Sequence, residues 1–413
     1  MGLLIVKKRR ICVVTTSRAD FGLLHGLINE IAHDPRLSLQ CIASGTHAAR
    51  GFGRTGREIE KAGLSLDLKI PMRMTGNSAL SGVSAIAHSL TLFGKAFAHL
   101  KPDIVVLLGD RFELFAPAVP ALMLQIPIAH IHGGEVTEGA IDDSVRHAIT
   151  KMASLHFTAT ETSRRRILQM GEDPGRVFNC GAPGLDAIHN ANLLTREELE
   201  EALDIDLGIP TALVTYHPAT RDKIPVRKQV KALVDALVAT TLPAVLTMAN
   251  VDENGAYINA ELRALCRKHP SRFKWVPNLG HLRYLSALRH FAVMIGNSSS
   301  GLIEAPSFRL PVINIGSRQN GRERAANVID VPCEADQIVK AVRRAISPAF
   351  RAKIADMTNP YDLRGDGKAS HRIKNALRDT EITESLLSKR FWDFPYIQSL
   401  DSTQSVSGRK PRK

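Results

Sequence analysis

Short runs of apolar, largely β-branched residues alternate with longer stretches whose apolar positions recur every three to four residues, and this alternation fills most of the chain. The short runs read as strands at 11–15, 39–43, 103–108, 126–131, 155–159 and 177–180, and again at 212–216, 244–248, 273–276, 293–295 and 312–315. Continuous apolar runs separated by amphipathic helices predict parallel sheets covered by helices on both faces. Because the set occurs twice, the pattern predicts two doubly wound domains in tandem. Between them, Thr195-Arg-Glu-Glu-Leu-Glu-Glu-Ala-Leu203 reads as a capped charged helix, and Ile209-Pro210 follows. The expected division is 9–185 for the first domain and 186–368 for the second, with 369–395 returning to the first and 396–413 as a basic, disordered tail.

Ligands of doubly wound sheets sit beyond the carboxyl ends of the strands. Polar residues gather at those ends here, in Gly109-Asp110-Arg111, Gly133-Gly134-Glu135 and His217-Pro218. Function is therefore expected in the cleft between the domains. The run Met294-Ile-Gly-Asn-Ser-Ser-Ser-Gly-Leu-Ile-Glu304 is the most suggestive, since an apolar strand gives way to glycine and hydroxyls just before a helix. Free N–H groups at a helix start, with Ser298, Ser299 and Ser300 beside them, suit a phosphate, and Glu304 suits a ribose hydroxyl. The plainer alternative is that these serines cap the helix.

Composition narrows the class. At 413 residues the chain can hold two cores. No apolar stretch is long enough to span a bilayer, and the apolar Met1–Val6 run lacks a leading basic region, so no membrane partner and a cytoplasmic location are expected. The five cysteines are scattered with no C-x-x-C pair, which predicts reduced core thiols and no zinc knuckle. The net charge of +13 invites a nucleic-acid reading, but eight of those charges lie in Lys7-Lys-Arg-Arg10 and in Arg409-Lys-Pro-Arg-Lys413, leaving +5 elsewhere. Read as solvated ends with few aromatics between them, they predict no nucleic-acid partner and a small anionic substrate.

The first strand runs into Thr15-Thr-Ser-Arg-Ala-Asp20, without G-x-G-x-x-G, and there is no P-loop, so no nicotinamide cofactor is expected. His130 and His132, read as sharing a strand face, could bind a metal with Glu135, as could Asp204 with Asp206; buried strand-end histidines more often hydrogen-bond, and no metal is expected. What remains is acid/base material: Asp110, Glu135 and Asp142 with His132, His147 and His217. Asp142 and Asp143 could instead cap a helix, and Asp110 could simply pair with Arg111 or Arg146.

The segments Ser17-Arg-Ala-Asp20, Gly45-Thr-His47, Leu108-Gly-Asp-Arg-Phe-Glu113, His130-Ile-His-Gly-Gly-Glu135, the run from Ile141 to Lys151, Gly296-Asn-Ser-Ser-Ser-Gly301 and the run from Ile313 to Arg322 together resemble the hydrolysing UDP-N-acetylglucosamine 2-epimerases of bacterial sialic acid biosynthesis. The resemblance covers roughly 9–395. It implies an α/β fold of GT-B type, two Rossmann-like domains with a terminal helix crossing back, UDP held by the second domain, and a homo-oligomer (dimer or tetramer). It implies catalytic roles for Asp110, Glu135, Asp142, His132 and His217. UDP-sugar contacts are implied at Arg18, Asp20, His47, Arg111, Arg146, His147, Asn250, Asn297, Ser298, Ser299, Glu304 and Arg318. Human-type and non-hydrolysing relatives place Glu where this chain has His132, so the second acid/base stays open between His132, Glu135 and Asp142.

The implied reaction is elimination of UDP to a 2-acetamidoglucal, then hydration to N-acetylmannosamine. A relative acting on a 2,4-diacetamido-2,4,6-trideoxy sugar nucleotide for legionaminic-type acids is the nearest alternative. A GT-B glycosyltransferase and a non-catalytic nucleotide-sugar sensor stand further off.

Overall fold

A computed structural model of the protein describes residues 8–45, 65–72, 79–137, 141–218, 224–249 and 254–393. His47, Asn250, the side chain of Arg18 and the basic tail lie outside the described residues.

Two parallel sheets organise the chain. The first contains β1 (Arg9–Thr15), β2 (Leu37–Ala43), β3 (Leu68–Lys69), β4 (Ile104–Leu108), β5 (Ile128–Ile131), β6 (Leu155–Thr158) and β7 (Val177–Asn179), in the order β3-β2-β1-β4-β5-β6-β7. The second contains β8 (Ala212–Thr215), β9 (Ala244–Leu246), β10 (Phe273–Trp275), β11 (Val293–Gly296), β12 (Val312–Ile315) and β13 (Val328–Val331), in the order β10-β9-β8-β11-β12-β13. These are two parallel-sheet α/β domains. Alternation along β1 shows why both faces need cover: Ile11 and Val13 pack with Leu24, Leu27 and Ile28, while Cys12 and Val14 pack with Phe93 and Phe97 on the other side.

Strand order reverses direction between β1 and β4 in one sheet and between β8 and β11 in the other. Each reversal sends its connections to opposite faces and leaves a crevice above the strand ends. The segments beyond β4 and β11 carry the acidic and hydroxyl motifs, so topology alone brings them to ligand-binding positions.

Helix Ala369–Asp379, late in the chain, packs against helix Arg18–His33 and buries Ile373 and Leu377 in the first domain's core. Burying each such side chain contributes about 1.5–3 kcal/mol. Its first turn is capped from a distance, with the Ala369 and Ser370 N–H groups donating to Asp186 at 2.9 and 2.6 Å.

Some expectations need correction. Arg9 and Arg10 are not part of a solvated basic run: both lie in β1, where Arg9 donates to the carbonyls of Leu377 and Arg378 and Arg10 pairs with Asp103 at 3.0 Å. The edge strands β3 and β13 are not among those that the apolar pattern predicts. All five cysteines are free, but only four are buried, with Cys333 partly exposed. The Thr195 capping box forms, with Glu198 Oε2 accepting from the Thr195 N–H at 2.8 Å. No helix among the described residues is long and apolar enough to cross a membrane.

Candidate active site

β4 ends at Leu108, and Gly109, at φ +90°, turns the chain so that Asp110 stands at the mouth of the crevice. Its carboxylate meets the Arg146 guanidinium from helix Ile141–Met152. Arg146 is only 1% exposed and donates in several directions: to Asp110, to Thr137 Oγ1 at 2.9 Å, to the Glu135 carbonyl at 2.8 Å and to Asp143 at 3.2 Å. A buried guanidinium needs such a set, because an unpaired buried charge is costly. Asp143 also accepts from the Thr137 N–H at 2.9 Å. Asp142 is less committed. Burial and the neighbouring Asp110 charge push its carboxyl pKa up, so it retains a proton more readily than an ordinary aspartate.

Beyond β5 the backbone folds sharply, with His132 at φ +64° and Gly134 at φ +76°. A Cβ on Gly134 would collide with the Ser163 carbonyl oxygen, well inside 3.0 Å, so only glycine fits there. The turn brings His132 Nδ1 to 2.5 Å from Glu135 Oε1. Burial pushes Glu135 up, but the His132 ring, Arg322 and Arg146 outweigh it and bring its pKa down to about 2. Glu135 is therefore a carboxylate at any physiological pH. His132 Nε2 is buried and has no hydrogen-bond partner among the described residues.

The idea that His130 and His132 share a strand face is corrected, because β5 ends at Ile131 and His132 lies in the turn. His130 is a satisfied core residue, with Nε2 at 2.8 Å from the Gly109 carbonyl and Nδ1 at 3.1 Å from Thr150 Oγ1, and burial lowers its pKa to about 3. Asp204 pairs with Lys274 at 2.6 Å, while Asp206 accepts from the Gly208 N–H. Among the described residues no cluster of three His, Cys, Asp or Glu side chains is arranged for a metal.

The second wall is assembled differently. Gly296 has φ +146°, and a Cβ there would collide with the Thr215 carbonyl oxygen. This close approach lets Asn297 link two strand ends: its Oδ1 accepts from the His217 N–H at 2.7 Å and its Nδ2 donates to the His217 carbonyl at 2.9 Å. The Asn297 carbonyl accepts from Arg318 at 3.0 Å and Gln319 at 2.8 Å. Asn297 is thus a scaffold for His217 and Arg318. Burial first, then the Arg318 charge, lowers His217 to about 3, so its imidazole is neutral and acts as a hydrogen-bonding group.

Ser299 precedes helix Ser300–Ile303 without a side-chain cap bond, and among the described residues the Ser298 hydroxyl accepts only from the Ser300 N–H, at 3.4 Å. Helix capping does not account for these hydroxyls. The helix is four residues long and passes into a 3-10 turn at Ala305–Phe308, so donors act here locally rather than through a long macrodipole. Tyr284 donates to Ser300 Oγ at 2.7 Å, and burial raises the Glu304 carboxyl pKa.

Other expected contacts take supporting places. Asp20 is turned into its loop, accepting from Thr16 Oγ1 at 2.5 Å, while its N–H donates to the Ser17 cap. Arg111 is partly exposed and pairs with Glu113 at 2.5 Å. His147 lies 3.5 Å from Asp143, with burial lowering its pKa. Thr137, Gln319 and Arg322 touch these residues as well and are not among those that the sequence motifs single out. Arg322 closes the run that carried the resemblance, which was the available signal for it.

The family model described as UDP-N-acetylglucosamine 2-epimerase matches residues 29–378. The chain belongs to that family. It is similar to the GDP/UDP-N,N′-diacetylbacillosamine 2-epimerase (hydrolyzing) of Campylobacter jejuni, at 41% identity over 94% of this chain and 100% of the relative. It is also similar to the UDP-N,N′-diacetylbacillosamine 2-epimerase (hydrolyzing) of Legionella pneumophila, at 36% over 92% and 98%. Polysialic acid biosynthesis protein P7 of Escherichia coli is 34% identical over 94% and 98%. Among solved structures, UDP-GlcNAc 2-epimerase from Neisseria meningitidis bound to UDP-GlcNAc superposes with a TM-score of 0.78, at 19% identity, over 90% of this chain and 100% of that one. That likeness establishes the GT-B-like fold of this nucleotide-sugar 2-epimerase family member.

Proposed function

We propose that this chain is a hydrolysing 2-epimerase whose substrate is the UDP-linked 2,4-diacetamido-2,4,6-trideoxy sugar, N,N′-diacetylbacillosamine. The observation that carries the choice is the 41% and 36% identity, over more than nine-tenths of the chain, to two relatives named for that sugar. UDP-N-acetylglucosamine, the main expectation from the sequence, becomes the second reading. It is favoured by the family description and by the polysialic acid protein at 34%.

The C2 proton of such a sugar is not acidic, so epimerisation needs a route that makes its loss productive. A base removes H2 as the C1–O bond to UDP breaks, giving a glycal. Water oxygen then bonds to C1, and a proton arrives on the opposite face of C2. UDP and the free 2-epimer result, with one water consumed. Asp110, at the crevice mouth, is assigned the proton at C2. Asp142, whose pKa is raised by burial and by Asp110, and His132, with an unpartnered Nε2, are the groups able to return one. Arg18, His217, Ser298, Ser299 and Arg318 are assigned to the diphosphate, where donors stabilise charge gathering on the leaving group. Glu304 is assigned to the ribose.

NMR of the purified protein with each UDP-sugar in deuterated water tests this. The diacetamido substrate should yield UDP and the inverted sugar bearing deuterium at C2, at least tenfold faster than UDP-N-acetylglucosamine reacts. The opposite preference would hand the assignment to the second reading. Release of the sugar without inversion would remove epimerisation itself.

A further inference from the structure

Arg322 sits between β12 and β13, on the second domain, yet its Nη2 stands 3.8 Å from Glu135 Oε2 on the first. The carboxylate is thereby used on both sides, with Oε1 at 2.5 Å from His132 Nδ1. A line of charge and hydrogen bonding runs from the second domain's loop, through Glu135, to an imidazole whose other nitrogen has no partner among the described residues.

The loop that carries Arg322 is well anchored. Arg324 donates to the Arg322 carbonyl at 2.7 Å and pairs with Asp330 at 2.7 Å. Tyr361 donates to the neighbouring Glu323 carbonyl at 3.1 Å. Tyr361 is 1% exposed and packs with Ala159, Ala182 and Leu185, and its carbonyl accepts from the Ala182 N–H at 2.8 Å where the chain leaves the first sheet. The reach of Arg322 toward Glu135 is thus referenced to the connection between the domains. Its side chain is 14% exposed, so the pair is shielded from the screening that makes surface ion pairs weak.

We propose that Arg322 is a positioning residue: by holding Glu135 Oε2 from the second domain, it keeps Oε1 on His132 Nδ1 and fixes the ring with Nε2 directed at the sugar. The proton that His132 exchanges is then on Nε2, while Nδ1–H stays with Glu135. The acid/base pair becomes complete only when the nucleotide-holding domain is in place, which ties chemistry to a bound substrate. This inference rests on the epimerase reading for its consequence in turnover, but not for the ion pair itself.

Two variants, Arg322→Gln and Arg322→Lys, test it alongside the wild type. With whichever UDP-sugar the wild type converts, kcat should fall by roughly 30-fold or more in Arg322→Gln and by under about fivefold in Arg322→Lys, each with KM within about threefold. UDP affinity by calorimetry should stay within about threefold. A loss confined to KM and UDP affinity would make Arg322 a nucleotide contact and overturn the proposal, as would an equal kcat loss in both variants. Hydrogen exchange with UDP bound supplies an arm independent of turnover: amides of 133–137 should exchange several-fold faster in Arg322→Gln than in wild type, and unchanged exchange would overturn the coupling. If the wild type converts neither sugar, the functional reading falls while the exchange result still decides the ion pair.

Discussion

Beyond β4 and β5 the first domain presents charges already engaged with one another, Asp110 with Arg146 and His132 with Glu135, whereas beyond β8 and β11 the second presents backbone and hydroxyl groups around a neutral His217. Under the proposed function, the contrast separates two tasks. Proton transfer needs titratable groups with environments that push them apart, and burial beside fixed partners does that. Holding a diphosphate needs many modest donors at the right spacing, which a glycine-permitted close approach between strand ends can supply. Each wall is therefore expected to fail in its own way when altered.

The largest effect should come from the first wall. Asp110→Asn is expected to lower kcat by about 10²–10⁴, or about 3–5 kcal/mol of barrier, with UDP affinity by calorimetry within about threefold of wild type. Near wild-type kcat in the Asp110→Asn protein would dissolve the division of labour.

Next comes the scaffold of the second wall. In Gly296→Ala the new Cβ runs into the Thr215 carbonyl oxygen unless β8 and β11 separate, which would displace Asn297 and with it His217. A loss of about 2–3 kcal/mol in denaturant unfolding is expected, together with weaker UDP binding. Unchanged unfolding would mean that the strands accommodate the methyl.

The hydroxyls themselves should matter less. Ser298→Ala/Ser299→Ala removes two hydroxyl donors and, at the helix start, only the long bond from the Ser300 N–H to Ser298 Oγ at 3.4 Å, so UDP affinity should fall by at least about tenfold while unfolding changes little, since charged hydrogen bonds contribute about 1.5–3 kcal/mol each. Full UDP affinity in this variant would take the cradle out of the second wall.

How much of this was legible in the sequence follows the range of the interactions involved. Eleven strands were visible because buried parallel strands are apolar throughout, a local signal. β3 is two residues long and contains Lys69, and β13 carries Asp330 and lies at an edge, so neither gives an uninterrupted apolar run. The motifs at the strand ends were legible for the same local reason. What each residue touches was not. Asp20 also holds its own loop and Asn297 also joins two strand ends, bonds that no local pattern announces; Arg9 and Arg10 read as part of a solvated end but seal the first strand. Arg322 and Glu135 meet through tertiary packing that no periodicity encodes.

The smallest expected effect, taken per pH unit, compares the walls in acid. His217 is lowered to about 3 from 6.5 by burial and Arg318, so between these values the unfolded chain binds a proton that the folded chain does not, and stability falls as pH drops through that window. Glu135 is lowered to about 2 from 4.5, because His132, Arg322 and Arg146 outweigh burial; its contribution is present above 4.5 and is lost as pH falls toward 2. One proton of difference changes stability by about 1.4 kcal/mol per pH unit, a shift in Tm of only a few degrees in a chain this long. Thermal unfolding from pH 7 to pH 3 should therefore show His217→Asn flattening the pH dependence from about 6.5 downward, and Glu135→Gln flattening it only below about 4.5. If Glu135→Gln left the pH dependence unchanged, its carboxylate would be titrating near its ordinary value in the folded chain as well. The partners that hold it ionised, Arg322 among them, would then not be close enough in solution to do so.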